Sequence, residues 1–544
     1  MICILHGYLL EGSGSNLWTR SIIQSLCRDG ETVHLLCQEN HPELYDFIAT
    51  VHYYHPNGRD EIQLERDVPY SGRCIMHKPY IGDTMPVYVW DQYEEFSDVQ
   101  LMINLDDNSL ENYLVYNVKV LKQIVKQYKI SVLHANHAVL MSVVARRVSD
   151  ELSVPFAIMP HGSAIEYAVK KDSRFFTYAL DAFTKANRIY VIGNELRQRV
   201  NTLFPDIVHL NDRISDLNLG VDTSLFQPIE RKDRHHNIEL LCQRAGKASL
   251  GKKVEMSKQL QEGLFPDINQ SQLIKLIRKT TAYNPKKVDH NLESHLSSID
   301  WKEDQILLFV GRLIISKGIQ AIIAALPGIL EKNPRARLVV VGHGPLREPL
   351  EAFLWALQNG ARHLVLNIIS WGSNLEGSGN QPLKELQSYF TKLEEEGELE
   401  AYFDSAQKYI SQKSVIFTGY LTHQELRYLF PACDVALFPS VVAEAGPLVF
   451  LEAIASGCFP IGTYFAGMAA SIDSVAGFIP ANISEWIKLR VDEKELVLDI
   501  ILKTTGALTV EEKYKKTLRE IAVEKYDWQN ISKRLATDLH NLSI

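Results

Sequence analysis

Apolar residues fall along this chain in two alternating patterns. Unbroken runs of four or five suit strands buried on both faces, and spacings of three or four positions suit helices with one apolar face. Ile2-Cys3-Ile4-Leu5 predicts a first strand. The loop Glu11-Gly12-Ser13-Gly14-Ser15-Asn16 then leads into a helix with Leu17, Ile22, Ile23 and Leu26 as its apolar face and Gly30 as its stop. Residues 32–36 predict the next strand and complete a right-handed βαβ opening. Over 40–115 the pattern weakens. A turn at Pro56-Asn57-Gly58 and aromatics at Tyr88, Trp90 and Tyr93 read there as an insertion with core aromatics. A helix over 118–129 presents lysines 119, 122, 126 and 129 as a solvated face. The βα alternation then resumes with a strand ending at His134, a loop carrying His137, a helix over 140–150 and a strand over 155–159 that delivers Pro160-His161-Gly162. Strands over 188–192 and 214–219 close this series in the turn-forming stretch 220–228. A second series has strands over 306–310, 338–342, 415–417 and 434–438, and helices over 319–330, 425–430 and 448–456, the last stopped by Gly457. Two consecutive series predict an α/β fold of two Rossmann-like, doubly wound domains with helical insertions.

Bulk properties narrow the class. A chain of 544 residues exceeds what one core supports, and 46% hydrophobic with 23% charged residues is the composition of a soluble globular protein. The net charge of -9 argues against a general nucleic-acid binder. Seven scattered cysteines without a C-x-x-C pair indicate neither a zinc site nor a disulfide framework, which favours a reducing, cytoplasmic setting. Residues 1–5 are too short an apolar run for a signal peptide, and no apolar stretch reaches the 18 residues of a membrane span. Charge is unevenly spread, since residues 231–290 hold 13 Lys+Arg against 6 Asp+Glu. That segment reads as a solvated helical insert whose basic balance would suit an anionic acceptor, a membrane surface or a partner.

The candidate chemistry sits on loops after predicted strands, where parallel sheets bind ligands. Glu444 and Glu452 stand eight positions apart, about 12 Å along a helix, too far for a shared proton or one metal. They suit an extended ligand with hydroxyl groups at both ends, because carboxylates accept charge-assisted hydrogen bonds. Arg312 and Lys317, five apart in the loop after strand 306–310, suit a diphosphate. The loop around Gly14 has its amides at a helix N-terminus, but Leu17 takes the place of the third glycine of a dinucleotide fingerprint, which speaks against NAD.

Nine motifs in order then resemble the family 4 retaining glycosyltransferases, which have the GT-B fold. They are the glycine loop near residue 14, H-x-x-H at 134–137, H-G at 161, G-V-D-x-x-x-F-x-P at 220, F-V-G-R-L-x-x-x-K-G at 309–318, G-x-G at 342, D-V-x-x-x-P-S at 434, E-x(7)-E at 444 and E-K-Y-D-W-x-x-I-x-x-R-L at 524–535. The resemblance implies two domains facing across a cleft. Residues 1–228 would form the acceptor domain, with helix 528–542 packing back on it. A basic linker would follow over 229–300. Residues 301–525 would then form the nucleotide-sugar domain, with a helical hairpin inserted at 358–413.

It also implies roles. Arg312 and Lys317 would hold the donor diphosphate, Glu452 the ribose hydroxyls and Glu444 the sugar's O3 and O4. Gly14, Gly311, Gly446 and the amides of Leu448 and Val449 would approach the donor. His161 would contact the transferred sugar, and His134 and His137 are further sugar or acceptor candidates. The implied reaction is metal-independent, retaining transfer of a hexosyl unit from a nucleoside-diphosphate sugar, a substrate rather than a cofactor. The acceptor is a hydroxyl on a glycan, a lipid-linked or a small molecule. The chain has no D-x-D. Peripheral membrane contact and the oligomeric state are left open. A nucleotide-sugar epimerase or phosphorylase of the same fold, or a non-catalytic binding subunit, are the competing readings. Gly446-Pro447 departs from the family's pattern, since proline removes an amide from the expected phosphate loop.

Overall fold

The computed structural model describes every residue except 12, 83, 89–95, 97, 247–250, 443–447 and 544. The chain forms two compact units, Met1–Gly220 with Lys525–Ile544, and Val221–Glu524.

The first unit is built on a nine-stranded sheet. Its strands are β1 (Ile2–Leu5), β2 (Thr32–Leu36), β3 (Ile48–Tyr54), β4 (Asp60–Glu65), β5 (Arg73–Pro79), β8 (Val132–Asn136), β9 (Phe156–Met159), β10 (Arg188–Val191) and β11 (Ile214–Asp216). A separate parallel pair, β6 (Thr84–Val87) and β7 (Asp98–Leu101), lies outside that sheet. The order across the sheet is β11-β10-β9-β8-β1-β2-β5-β3-β4, and β1 pairs in parallel with both β8 and β2. Residues 40–115 are therefore not an insertion. β5 pairs with β2 and β3 with β5, so this stretch supplies one whole flank of the sheet. Its polar alternation was hard to read because β3 and β4 form an antiparallel hairpin whose outer strand is largely exposed.

The helix Gly14–Arg28 buries Trp18, Ile22, Ile23 and Leu26 against this sheet, while Leu17 is only half-buried. Trp18 thus replaces Leu17 on the predicted apolar face. The helix Trp528–Leu542 packs on Gly14–Arg28, with the Ser25 and Ser532 hydroxyls 2.8 Å apart. Trp528 also explains a glycine. A Cβ at Gly220 would lie 2.4 Å from the Trp528 ring, so Gly220 and Trp528 meet within the first unit.

The second unit has a six-stranded, wholly parallel sheet of β12 (Gln305–Val310), β13 (Ala336–Val341), β14 (Val415–Gly419), β15 (Val435–Phe438), β16 (Phe459–Thr463) and β17 (Lys488–Leu489). The order β14-β13-β12-β15-β16-β17 is the 3-2-1-4-5-6 arrangement of a dinucleotide-binding fold. Its order reverses between β12 and β15, so the loops leaving those two strands flank the crevice where such sheets take ligands.

Two expectations about inserted segments change. Residues 358–413 form three helices, Arg362–Trp371, Lys384–Glu395 and Leu399–Tyr409, rather than a hairpin. The last two pack on the helix Ile319–Lys332, where Tyr402 donates to the Ala324 carbonyl at 2.9 Å, and the first packs on the helix Arg347–Gln358.

The basic segment is not simply solvated. Lys252, 2% exposed, sits 2.9 Å from both Glu348 and Glu351, and Arg347 bridges Glu351 (2.6 Å) and Asp289 (2.9 Å) while stacking over Phe417 at 4.0 Å. Burial alone would raise the Glu351 carboxyl, but Arg347 and Lys252 pull its pKa down to about 2. Buried ions of opposite sign must be paired, and this network clamps the segment to β14 and the helix Arg347–Gln358.

Candidate active site

In the second unit the loop after β12 carries Arg312 and Lys317. Arg312 is exposed and Lys317 half-buried. The loop's amides are largely spent. Those of Gly311, Leu313, Ile314, Lys317 and Gly318 donate to Val341, His343, Arg312, Ile314 and Ile315 carbonyls respectively. The Ile315 amide donates to the Glu376 carboxylate at 2.9 Å, so the inserted helical segment reaches into this loop. With its backbone donors engaged, the loop can offer an anion chiefly its two cationic side chains.

The motif glycines hold this loop close. Gly318 has φ +72°, and a Cβ there would lie 1.9 Å from the Pro439 carbonyl oxygen. A Cβ at Gly342 would lie 1.8 Å from the Gly311 carbonyl oxygen. The D-V-x-x-x-P-S motif spans the sheet. Ser440, past the carboxyl end of β15, donates to the Ser316 carbonyl at 3.0 Å. Asp434, at its amino end, accepts both Arg234 nitrogens at 3.1 and 2.7 Å and the Ile306 amide at 2.8 Å. Burial would raise that carboxyl, but Arg234 and the amide hold it below the usual carboxylate range. Asp434 is thus a fold anchor, while Ser440 belongs to the site.

Glu452 lies in the helix Leu448–Ala455, 4% exposed, with Leu448 and Val449 half-buried in the first turn. His423 Nδ1 is 2.7 Å from Glu452 Oε1, and Oε2 is buried with no hydrogen-bond partner among the described residues. Glu444 and Gly446 lie outside the described residues.

In the first unit, loops leaving β1 and β8 flank the point where the sheet order reverses, and they converge on a histidine cluster. His137, φ +72°, stacks on His6 (centroids 5.8 Å) and lies 4.9 Å from the His161 ring. Burial, with the nearby His6 and His134, lowers the His161 pKa to about 3, and its Nε2 has no partner among the described residues. Burial likewise lowers His6 to about 4, despite hydrogen-bond distances from its Nε2 to Asn16 (3.0 Å) and the Leu9 carbonyl (3.1 Å). These imidazoles are neutral at pH 7.

His134 does not end its strand. It sits within β8, stacked on Trp18 at 5.6 Å, and the same Trp18 ring lies 5.8 Å from His161. Gly14 opens the helix Gly14–Arg28 behind N-cap Ser13, and a Cβ there would meet nothing within 4 Å. Sequence reasoning missed His6, a histidine directly after a buried strand and before Gly7, and His423. The signal for the first was its place at a strand end. For the second there was none, because it follows an N-cap threonine and reads as an ordinary first-turn residue.

Residues 294–376 and 395–480 match the model of the glycosyl transferases group 1 family. An uncharacterized glycosyltransferase of Methanocaldococcus jannaschii is 26% identical over 257 residues, 46% of this chain and 50% of that relative. The match therefore spans about half of the relative's length. Among solved structures, sucrose-phosphate synthase from Thermosynechococcus elongatus aligns with TM-score 0.52 and 15% identity over 99% of this chain and 98% of that one. Starch synthase IV from Arabidopsis thaliana, its catalytic domain bound to ADP and acarbose, gives TM-score 0.54 and 13% identity over 100% and 99%. HepE from Anabaena, in complex with UDP and glucose, gives 0.51 and 13% over 99% and 100%. At these identities the structures speak to the fold, which is GT-B. The family match lies in the second unit, where the chain is similar to the group 1 glycosyltransferases.

Proposed function

We propose that the chain transfers a hexosyl unit, with retention, from a nucleoside-diphosphate sugar to a hydroxyl acceptor, without a metal. The observation that carries this reading is the grouping of Arg312, Lys317 and Glu452 on loops and a helix of the second unit that flank the point where the sheet order reverses. Two cations and one buried carboxylate suit a diphosphate joined to a ribose. Complexes of HepE with UDP and of starch synthase IV with ADP agree with that ligand class.

As the anomeric carbon–oxygen bond breaks, negative charge builds on the diphosphate, and Arg312 and Lys317 stabilise it. The leaving phosphate oxygen takes the proton of the attacking hydroxyl on the same face of the sugar, so no enzyme base is required. Glu452 accepts the ribose hydroxyls, and Glu444 those of the sugar. Neutral His161 offers to a sugar hydroxyl its Nε2, which has no partner among the described residues. Retention and metal independence rest on the family resemblance and on the absence of D-x-D from the sequence. The acceptor belongs to the first unit in this reading, and its class is a glycan, a lipid-linked or a small molecule.

Lys317→Ala tests the reading. Loss of a donor to developing charge costs about 2.7–4 kcal/mol of barrier, or about a hundred- to thousandfold in kcat. Turnover of UDP-, GDP- and ADP-sugars, with anomeric configuration read by NMR, measures it. Near-normal turnover in Lys317→Ala would refute the leaving-group role, and an inverted product would refute retention.

A further inference from the structure

We infer that His423 is a positioning residue for nucleotide recognition, acting through Glu452. The inference rests on the donor-binding reading above. Glu452 is a buried carboxylate on the helix Leu448–Ala455. An ionised carboxylate only accepts hydrogen bonds, so at 2.7 Å the His423 Nδ1 must be the donor to Oε1. One oxygen is thereby fixed and the other, Oε2, is left buried and without a partner among the described residues. A buried acceptor without a donor is costly in a native protein. A ligand hydroxyl is the group that would satisfy it, and the fixed Oε1 sets the direction in which Oε2 points.

His423 is itself held. It begins the helix His423–Leu429, whose N-cap Thr422 and Glu425 form a reciprocal capping box. Its ring meets the edge of Phe226 at 6.3 Å and 87°. Phe226 belongs to the G-V-D-x-x-x-F-x-P motif, which no step of the reaction uses. Asp222 shapes that turn by accepting the Ser224 and Leu225 amides at 3.0 Å each. Arg519 then ties it to the Glu452 helix, donating to the carbonyls of Thr223, Phe226 and Ala455 at 2.8 Å. The motif thus reads as a brace under the histidine that orients the ribose carboxylate.

The test is ribose discrimination. Affinities of the full chain for UDP, GDP and ADP are compared with those for the 2′-deoxy and 3′-deoxy counterparts by calorimetry, on protein shown to be folded by circular dichroism. A hydrogen bond to a charged group implies a wild-type preference for the ribonucleotide of about tenfold or more. His423→Phe keeps a ring against Phe226 but removes the donor, and should shrink that ratio to within about twofold. His423→Asn, whose amide nitrogen lies where Nδ1 does, should retain most of it. Glu452→Gln should abolish it.

If His423→Phe keeps the wild-type ratio while Glu452→Gln loses it, the inference falls and the ribose assignment stands. Equal weakening of ribo- and deoxynucleotides in His423→Phe, or an Asn variant no better than Phe, would show packing alone and also overturn it. An unchanged ratio in Glu452→Gln, or no binding of any diphosphate by the wild type, would remove the ribose assignment and the inference together.

Discussion

Replacing Lys252 by Met isolates the contribution of the buried charge network to holding the basic segment. The Lys252 ammonium lies 2.9 Å from a Glu348 and a Glu351 oxygen, and its side chain is 2% exposed. Methionine fills a similar volume without charge, so the packing loss is small and the electrostatic loss dominates. Glu351 would keep Arg347, and Glu348 would keep, among the described residues, the Tyr283 hydroxyl at 2.9 Å. Removing one partner of a buried pair costs about 3–5 kcal/mol, because the remaining charge is left uncompensated.

The pH dependence carries a sign. The Glu351 carboxyl, held down to about 2 in the fold against an ordinary value of 4.5, stabilises the native state above pH 4.5, and that contribution is lost as pH falls toward 2. With Lys252 gone the folded value rises, so the variant's deficit against wild type should narrow as pH falls from about 4.5 toward 2. Calorimetric unfolding at pH 7 and across that acid range measures the stability. Hydrogen exchange over Val254–Gly263 and Gln270–Thr280 shows whether the segment itself has been released. Protection unchanged at both helices, with a melting shift within about 1 °C, would refute the clamp, since 1 kcal/mol moves a domain of 150–250 residues by about 2–4 °C.

Three further outcomes are expected. Gly318→Ala combines a positive φ with a carbonyl oxygen 1.9 Å from the new Cβ, so the loop carrying Arg312 and Lys317 must shift. It should lower kcat/KM sharply at a stability cost of about 1–3 kcal/mol, read by steady-state kinetics beside thermal melting. Gly220→Ala should destabilise the first unit and alter Trp528 fluorescence, and Trp528→Leu in the same chain should recover part of the loss.

Acid should unfold the first unit early. Burial lowers His6, His34 and His134 to about 4 and His161 to about 3, so each stays neutral in the fold where the unfolded chain takes a proton. Each contributes stability that is present above pH 6.5 and lost below it, at about 1.4 kcal/mol per pH unit. Melting between pH 7 and 5, followed by hydrogen exchange in β8 and β9, checks this, and pH-independent protection there would contradict it.

The sequence by itself determined a good deal. Buried parallel strands read as unbroken apolar runs, which is why β1, β9, β12, β13 and β15 were legible to within a residue or two. Loops at strand ends, glycines that must approach backbone, and the charged residues between them are local features, and they made Arg312, Lys317, Glu452 and His161 candidates. What the sequence lacked was pairing. The polar alternation of 40–115 did not reveal that β5 lies beside β2, because strand order is set by contacts between residues distant in the chain. Lys252 lay in a segment that read as solvated until folding buried it against Glu348 and Glu351. His134 read as the last residue of its strand until β8 was seen to run on to Asn136. His423 gained meaning only when a helix from 448 onward brought Glu452 within 2.7 Å of it. A hydrogen bond between residues 29 positions apart leaves no periodicity to read, so only the tertiary structure could decide it.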